Sequence, residues 1–373
     1  MERAAFGRIL DYDSVRDQFP RHPRPANGRR AIKGSERVAT RGASGALFRG
    51  VYIEAYTMKG AMKRDRLLEE TREALAKTGF FLSRPHGERG LSFDLVARRD
   101  DTLLIVKVLQ NVDALARETA HELKVIARTL EGSPLVVGER TGTGALEDGV
   151  IYNRFGVPIL SRPTLLEFLE EGVPPFLYSA PGGLYVRLDS SALRRLREDR
   201  QVSLGTLADI AGVSRRTIQM YLEGMSATMD VALRLEEFLN EPLVLPVDPF
   251  RFLDEPTAGT PSPHLEGFER ELFQRLERLG FAVLPTVKSP FDALSSREET
   301  TLLTGVADAD RELDRKAEVV SNISRVVEKD SVMFVVRRSV RMSIRGVPLI
   351  AREELRRMRD SDDVEDMISE RKG

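Results

Sequence analysis

The stretch LGTLADIAGVSRRTIQMYLE, residues 204–223, decides how the middle of this chain folds. Leu207, Ala208, Ala211, Val213, Ile218 and Tyr221 are its small or apolar positions, and their spacing places them on the inner face of two short crossing helices. Gly212 stands at the corner, where a left-handed backbone carries no side-chain penalty. Ser214 follows as an N-cap, its hydroxyl able to accept from the free backbone donors of the second helix. On that helix Arg215, Arg216 and Gln219 fall on one side, with Met220 beside them, opposite Ile218 and Leu222.

Helical sequences flank this motif: SSALRRLREDRQ at 190–201 and SATMDVALRLEEFLN at 226–240. The whole segment, 190 to 240, resembles the helix-turn-helix of the lambda repressor and Cro family. The resemblance implies double-stranded DNA as the partner, with the second motif helix in the major groove. There Arg215, Arg216, Gln219 and Met220 face base edges, Arg suiting guanine and Gln adenine. Ser214, Thr217, Thr206 and the basic residues Arg194, Arg195 and Arg197 suit phosphates, which orient without reading sequence. The family often places a phosphate-clamping Gln near the start of the first motif helix; here Gly205 stands there, with Thr206 next to it. The plainer reading makes these arginines a solvated face shared with Glu198, Asp199 and Glu223.

Composition bounds the rest. The chain has 373 residues, 41% hydrophobic and 31% charged, with a net charge of −1. That is room for two or three domains, and no global attraction to nucleic acid, so any DNA affinity comes from local patches. No cysteine is present and the four histidines are scattered, which excludes disulfides and zinc-thiolate sites and leaves no metal-ligand spacing. No apolar run approaches the roughly 18 residues of a membrane span, so a cytoplasmic protein is expected, without membrane contact or a nucleotide cofactor. GERTGTG at 138–144 lacks Walker spacing and reads as a surface insertion. Residues 1–61 mix Arg, Gly, Pro and Ala without periodicity and form an irregular basic extension; Met58 and Met62 are natural starts just before the first clear helix.

From Asp65 a pattern appears twice. RLLEETREALAKTGFFLSR at 66–84 and GFERELFQRLERLGFAVLPT at 267–286 each read as a helix and a strand; SFDLVARRDDTLLIVKV at 92–108 and PFDALSSREETTLLTGV at 290–306 each read as two strands about a charged turn. Asp94 aligns with Asp292, Arg99 with Arg297, Asp100 with Glu298 and Val137 with Val335, all 198 residues on, whereas Gly156 aligns with Gly346 at an offset of 190. The second copy is thus shorter by eight residues in one loop. Each copy is expected to run helix, strand, strand, strand, helix, strand, strand, helix.

That order, with Asp opening the second strand and Lys near the end of the third, resembles the restriction-endonuclease or Holliday-junction-resolvase fold. Active members carry a PD-(D/E)XK pattern in which two carboxylates hold Mg²⁺ and the Lys helps activate or orient water. Here Asp94 and Lys107 take the Asp and Lys places, but Ile105 stands where the second carboxylate belongs. Glu118, Glu122, Glu69 and Glu70 are the carboxylates available to replace it. In the second copy Asp292 is kept while Leu303 and Gly305 replace the carboxylate and the Lys. Both centres read as vestigial, with no catalytic residue, metal or cofactor expected.

The expected architecture is multi-domain, α/β plus all-α: the extension (1–61), a degenerate endonuclease-like domain (62–183), a helix-turn-helix domain (184–243), a Pro-rich linker (244–263), a second endonuclease-like domain (264–359) and a charged, frayed tail (360–373). From 62 to 359 this arrangement resembles an archaeal family of HTH-type transcriptional regulators. The resemblance implies a sequence-specific DNA-binding regulator, a homodimer joined through its α/β domains. The competing expectation is a PD-(D/E)XK nuclease targeted by the helix-turn-helix.

Overall fold

The computed structural model describes residues 63–85, 90–251, 265, 267–307, 310–337 and 339–372. The expectations for residues 1–61 and for 252–263 of the linker lie outside the described residues.

Helix α1 (63–77) leads into β1 (Phe81–Leu82), β2 (Leu95–Arg99) and β3 (Thr102–Asn111), then helix α2 (Arg117–Thr129), β4 (Ser133–Arg140), the hairpin β5 (Val150–Arg154) and β6 (Val157–Ser161), and α3 (Arg162–Leu166), prolonged by a π turn to Glu171. The strands lie in the order β1-β2-β3-β4-β6-β5, with β3, β4 and β6 parallel. A second sheet repeats the plan: α8 (Gly267–Arg278), β11 (Ala282–Pro285), β12 (Ala293–Arg297), β13 (Thr300–Ala307), α9 (Asp310–Val327), β14 (Asp330–Val335), β15 (Ser343–Ile344), β16 (Val347–Ala351) and α10 (Arg352–Arg357), in the order β11-β12-β13-β14-β16-β15. One strand per copy, β5 and β15, was not expected from the sequence pattern.

Register makes the repeat exact in places. Leu95 pairs with Val106 and Ala293 with Thr304; Arg99 pairs with Thr102 and Arg297 with Thr300. The two-residue turns between those strands start at Asp100 and Glu298, each with φ 50°, the left-handed conformation such hairpins require. One alignment moves: Val108 pairs with Val137 and Val306 with Phe334, so Val137 matches Phe334 and not Val335. The second copy has lost one residue before that strand.

The two copies pack face to face. Phe93, Val96, Leu103, Ile105 and Leu123 of the first share one core with Phe291, Leu294, Leu303, Leu313 and Val320 of the second. Phe93 and Phe291 are equivalent positions, and their ring centroids lie 6.2 Å apart. A residue that meets its own equivalent sits beside a twofold axis, so the copies associate as the halves of an isologous dimer do, within one chain. The polar contacts are reciprocal in kind. The Glu122 carboxylate on α2 accepts from Val287 N at 3.1 Å, Lys288 N at 2.9 Å and Ser289 Oγ at 3.3 Å, while Asn322 Oδ1 on α9 accepts from Arg84 N. Ser92 N donates to Lys288 O, and Arg98 pairs with Glu328. Glu122→Ala, which strands the part-buried Lys288 amide, is expected to cost about 1 kcal/mol in chemical denaturation; an unchanged midpoint would mean that the carboxylate holds nothing.

Between the copies the chain makes an excursion. β7 (Leu177–Ala180) adds to the free side of β5 and is followed by β8 (Gly183–Leu188), α4 (Ser190–Asp199), α5 (Leu204–Ala211), α6 (Arg215–Leu222), β9 (Ala227–Thr228), α7 (Met229–Leu239) and β10 (Val244–Leu245). β9 and β10 both pair with β8, so the first sheet continues without a break into this helical head. The segment expected as linker is anchored instead. Val247 is buried and donates to Pro175 O, and Phe250 packs on Phe168 with centroids 5.1 Å apart. Val247 and Phe250, which follow Pro246 and Pro249, pack on the first copy, which composition alone does not signal. The expected frayed tail is likewise a helix, α11 (Ser361–Arg371), capped by Asp360, with Val364 and Ile368 buried on the second copy and Arg371 paired with Glu354.

Candidate nucleic-acid interface

In the head, α5 and α6 cross over a core of Leu207, Ala208, Ala211, Ile218, Tyr221 and Leu222, joined by Leu193, Leu196, Val231 and Leu235 from α4 and α7. Val213 is partly buried against it. Gly212 caps α5 with φ 69° and ψ 34°. Its missing side chain has a second use: an added Cβ would come within 2.8 Å of Arg234 Nη1, which donates to Ala211 O. The two motif helices start alike. Ser203 accepts from Thr206 N at 3.0 Å and Ser214 from Thr217 N at 3.1 Å, and in each pair the two hydroxyls are 2.9 Å apart. The Ser203 cap was not singled out from sequence, although its Ser-x-x-Thr spacing repeats that of Ser214.

The outward side of α6 is open. Arg215, Arg216, Gln219, Met220 and Glu223 are exposed, Met220 with 41% of its surface free, and Thr217 is half-buried. The arginines divide into two groups. Arg194 donates to Leu222 O, Arg200 to Leu239 O and Arg234 to Ala211 O, so each of three helix ends has its terminal carbonyls capped by an arginine from another element. Arg194 is therefore engaged at the end of α6, and Arg197 is half-buried. Arg194, Arg195, Arg215 and Arg216 are all exposed. Arg215 crosses to the start of α5: an added Cβ at Gly205 would meet its Nη2 at 3.0 Å and its Nε at 3.2 Å. The glycine that stands in the clamp's place thus makes room for a guanidinium between the first turns of both motif helices.

The two places where the PD-(D/E)XK pattern would put a metal differ from any metal cradle. Asp94 is 1% exposed and Lys107 5%. Asp94 Oδ1 accepts from Arg64 at 2.5 Å and Lys107 at 3.2 Å, and Oδ2 accepts from Val108 N at 2.7 Å. Burial outweighs the attraction of Asp94 and holds the Lys107 ammonium below its ordinary pKa, with Arg64 and Lys288 repelling it further. Ile105 turns its side chain into the core shared by the two copies. In the second copy Asp292 accepts from Val306 N, equivalent to Val108, and from Lys316 Nζ at 2.7 Å. The lysine has moved from the strand, where Gly305 now lies, to helix α9. Met333 fills the vacated space, its Sδ only 2.2 Å from where a Gly305 Cβ would be. Arg64 and Lys316 escaped the sequence reading because they lie 30 and 24 residues from the aspartates they bind.

The possible replacement carboxylates are used elsewhere: Glu69 pairs with Arg72, Glu70 with Arg66 and Arg162, and Glu122 with the second copy. Glu118 is exposed at the start of α2. Among the described residues no group of three or more His, Asp or Glu side chains gathers as a metal would need. One carboxylate already neutralised by two cations does not fit a Mg²⁺ ion, which wants several free oxygens.

Residues 64–175 match the PD-(D/E)XK superfamily domain and residues 193–245 match a helix-turn-helix model. No solved structure matches. A protein of Methanocella arvoryzae, named "Putative HTH-type transcriptional regulatory protein", is 39% identical over 315 residues, covering 83% of this chain and 97% of its own. Relatives with the same description in Natronomonas pharaonis and Archaeoglobus fulgidus are 40% and 34% identical, covering 83% and 82% of this chain and 99% and 97% of theirs. The chain belongs to this archaeal HTH-type regulator family. In this family member no described helix is long and apolar enough to cross a membrane.

Proposed function

We propose that this regulator-family protein binds double-stranded DNA by sequence, reading the major groove with the helix from Ser214 to Glu223, and that it is not an enzyme. One observation carries the reading: a fully built helix-turn-helix core leaves Arg216, Gln219 and Met220 exposed together on the outward side of the second motif helix. Arg216 and Gln219 supply base-edge hydrogen bonds and Met220 an apolar contact. Arg215, drawn across Gly205, serves a phosphate beside the two helix starts, with Ser214, Thr206, Thr217 and Arg195 around it. Arg194, exposed while it donates to Leu222 O, and Arg197, half-buried as Thr217 is, flank this set.

The two flanking sheets are then two copies of one PD-(D/E)XK-type domain serving as a scaffold. The buried Asp94, 1% exposed and already bound by Arg64, Lys107 and Val108 N, supports a role without cleavage.

Binding-site selection from random duplexes tests the assignment. Arg216→Ala is expected to lose about 1–3 kcal/mol of discrimination at one base position. Arg215→Ala should weaken all sequences alike and lower the salt dependence by about one phosphate contact. Equal enrichment of every sequence by the unaltered protein would end the regulator reading, and Mg²⁺- or Mn²⁺-dependent products abolished by Asp94→Ala would establish the nuclease.

A further inference from the structure

Among the described residues the head occurs once, although the α/β domain occurs twice, and this asymmetry has a consequence for the DNA. Helix-turn-helix readers gain affinity by pairing two heads about a twofold axis, so that inverted half-sites about 34–36 Å apart are read together. The sequence led us to expect the α/β domains to join two chains in this way. In the structure those domains have already met each other. Phe93 faces Phe291, Ile105 and Leu303 lie in one core, and α2 and α9 each cap the other copy's loop. The twofold that a second chain would supply is spent inside the first.

The second half of that internal pair offers no matching head. On the first copy, edge strand β5 is extended by β7 and β8 into the head. On the second, β15 ends its sheet, and the chain after α10 turns back as α11 to bury Val364 and Ile368 on its own domain. Nor does the single head hang on a tether. It leaves the first copy through β7, which pairs with β5, and after β10 pairs with β8 the chain returns through Val247 and Phe250, which are buried or packed on that copy. A head fixed at both ends does not swing toward a neighbour.

We infer that the DNA partner is an asymmetric duplex site: one chain reads one block of a few base pairs without an inverted repeat. This rests on the DNA-reading role proposed above. With a single recognition helix the base contacts are few, so phosphate contacts from Arg215 and Arg195 carry a large share of the affinity, and binding falls steeply with salt.

Selection with the full chain, followed by native mass spectrometry on the enriched duplex, tests it. The expected result is a motif without internal twofold symmetry, a complex of one chain per duplex, and a titration with a Hill slope of one. An enriched palindrome with half-sites about 10 base pairs apart, or two chains per duplex with cooperative binding, would overturn the inference while leaving the regulator reading intact. If no duplex is enriched over the starting pool, the regulator reading fails first and this one with it. Scrambling the enriched block while keeping length and composition controls for phosphate binding alone: equal affinity for both duplexes also counts against a read site.

Discussion

Asp94→Ala is expected to destabilise the protein by about 3–5 kcal/mol, more than any other single truncation of a polar side chain in the described residues. The carboxylate is 1% exposed and serves three donors at once: the Arg64 guanidinium, the Lys107 ammonium and Val108 N. Its removal leaves Lys107, itself 5% exposed, with only Leu91 O at 2.6 Å, and leaves the amide of a central strand unpaired. Breaking a buried pair costs far more than replacing it whole, because the remaining charge still pays for its desolvation. The double variant Asp94→Ala with Lys107→Met should therefore be more stable than Asp94→Ala alone. Urea denaturation of both variants measures this; a double variant less stable than the single one would mean that Lys107 is not held by the aspartate. In a working metal centre the same aspartate would be dispensable for folding and required for turnover.

Ile105→Glu restores the missing carboxylate of the PD-(D/E)XK pattern, and we expect it to unfold the scaffold without reviving cleavage. Ile105 is fully buried and belongs to the core that joins the two copies. A carboxylate there loses the packing of the isoleucine and is desolvated with Arg64 and Lys107 already committed to Asp94, for a loss on the order of 5 kcal/mol. Denaturation midpoint and a Mg²⁺ or Mn²⁺ cleavage assay read the two consequences. A stable variant that cuts DNA would show that the centre is accessible and that only one residue separates it from activity. The second copy is further from repair, since a side chain at Gly305 collides with Met333 as well.

In both copies apolar packing stands where the PD-(D/E)XK pattern carries its second carboxylate. Ile105 and Leu303 belong to the shared core, and a carboxylate at either place costs stability. The two aspartates have a structural role, each binding the amide of the third strand and a lysine, although the second lysine stands on a different element.

The reading head and the repeat were legible in the sequence because their signals are local. Caps at Ser214, a left-handed Gly212 and apolar positions three and four apart all act within a turn or two of helix, so short-range sterics and hydrogen bonding define them before any tertiary contact forms. Likewise the paired registers of β2–β3 and β12–β13 follow from two-residue turns and strand alternation. Tertiary structure alone decided the rest: that the two copies close on each other, that Arg64 and Lys316 neutralise the aspartates, that Arg194 caps a helix end, and that Val247 and the last helix dock instead of fraying. Each of these joins residues far apart in the chain through apolar burial or a charge pair, and neither leaves a periodic or short-range mark in sequence, because what selects the partner is the surface that folding brings opposite.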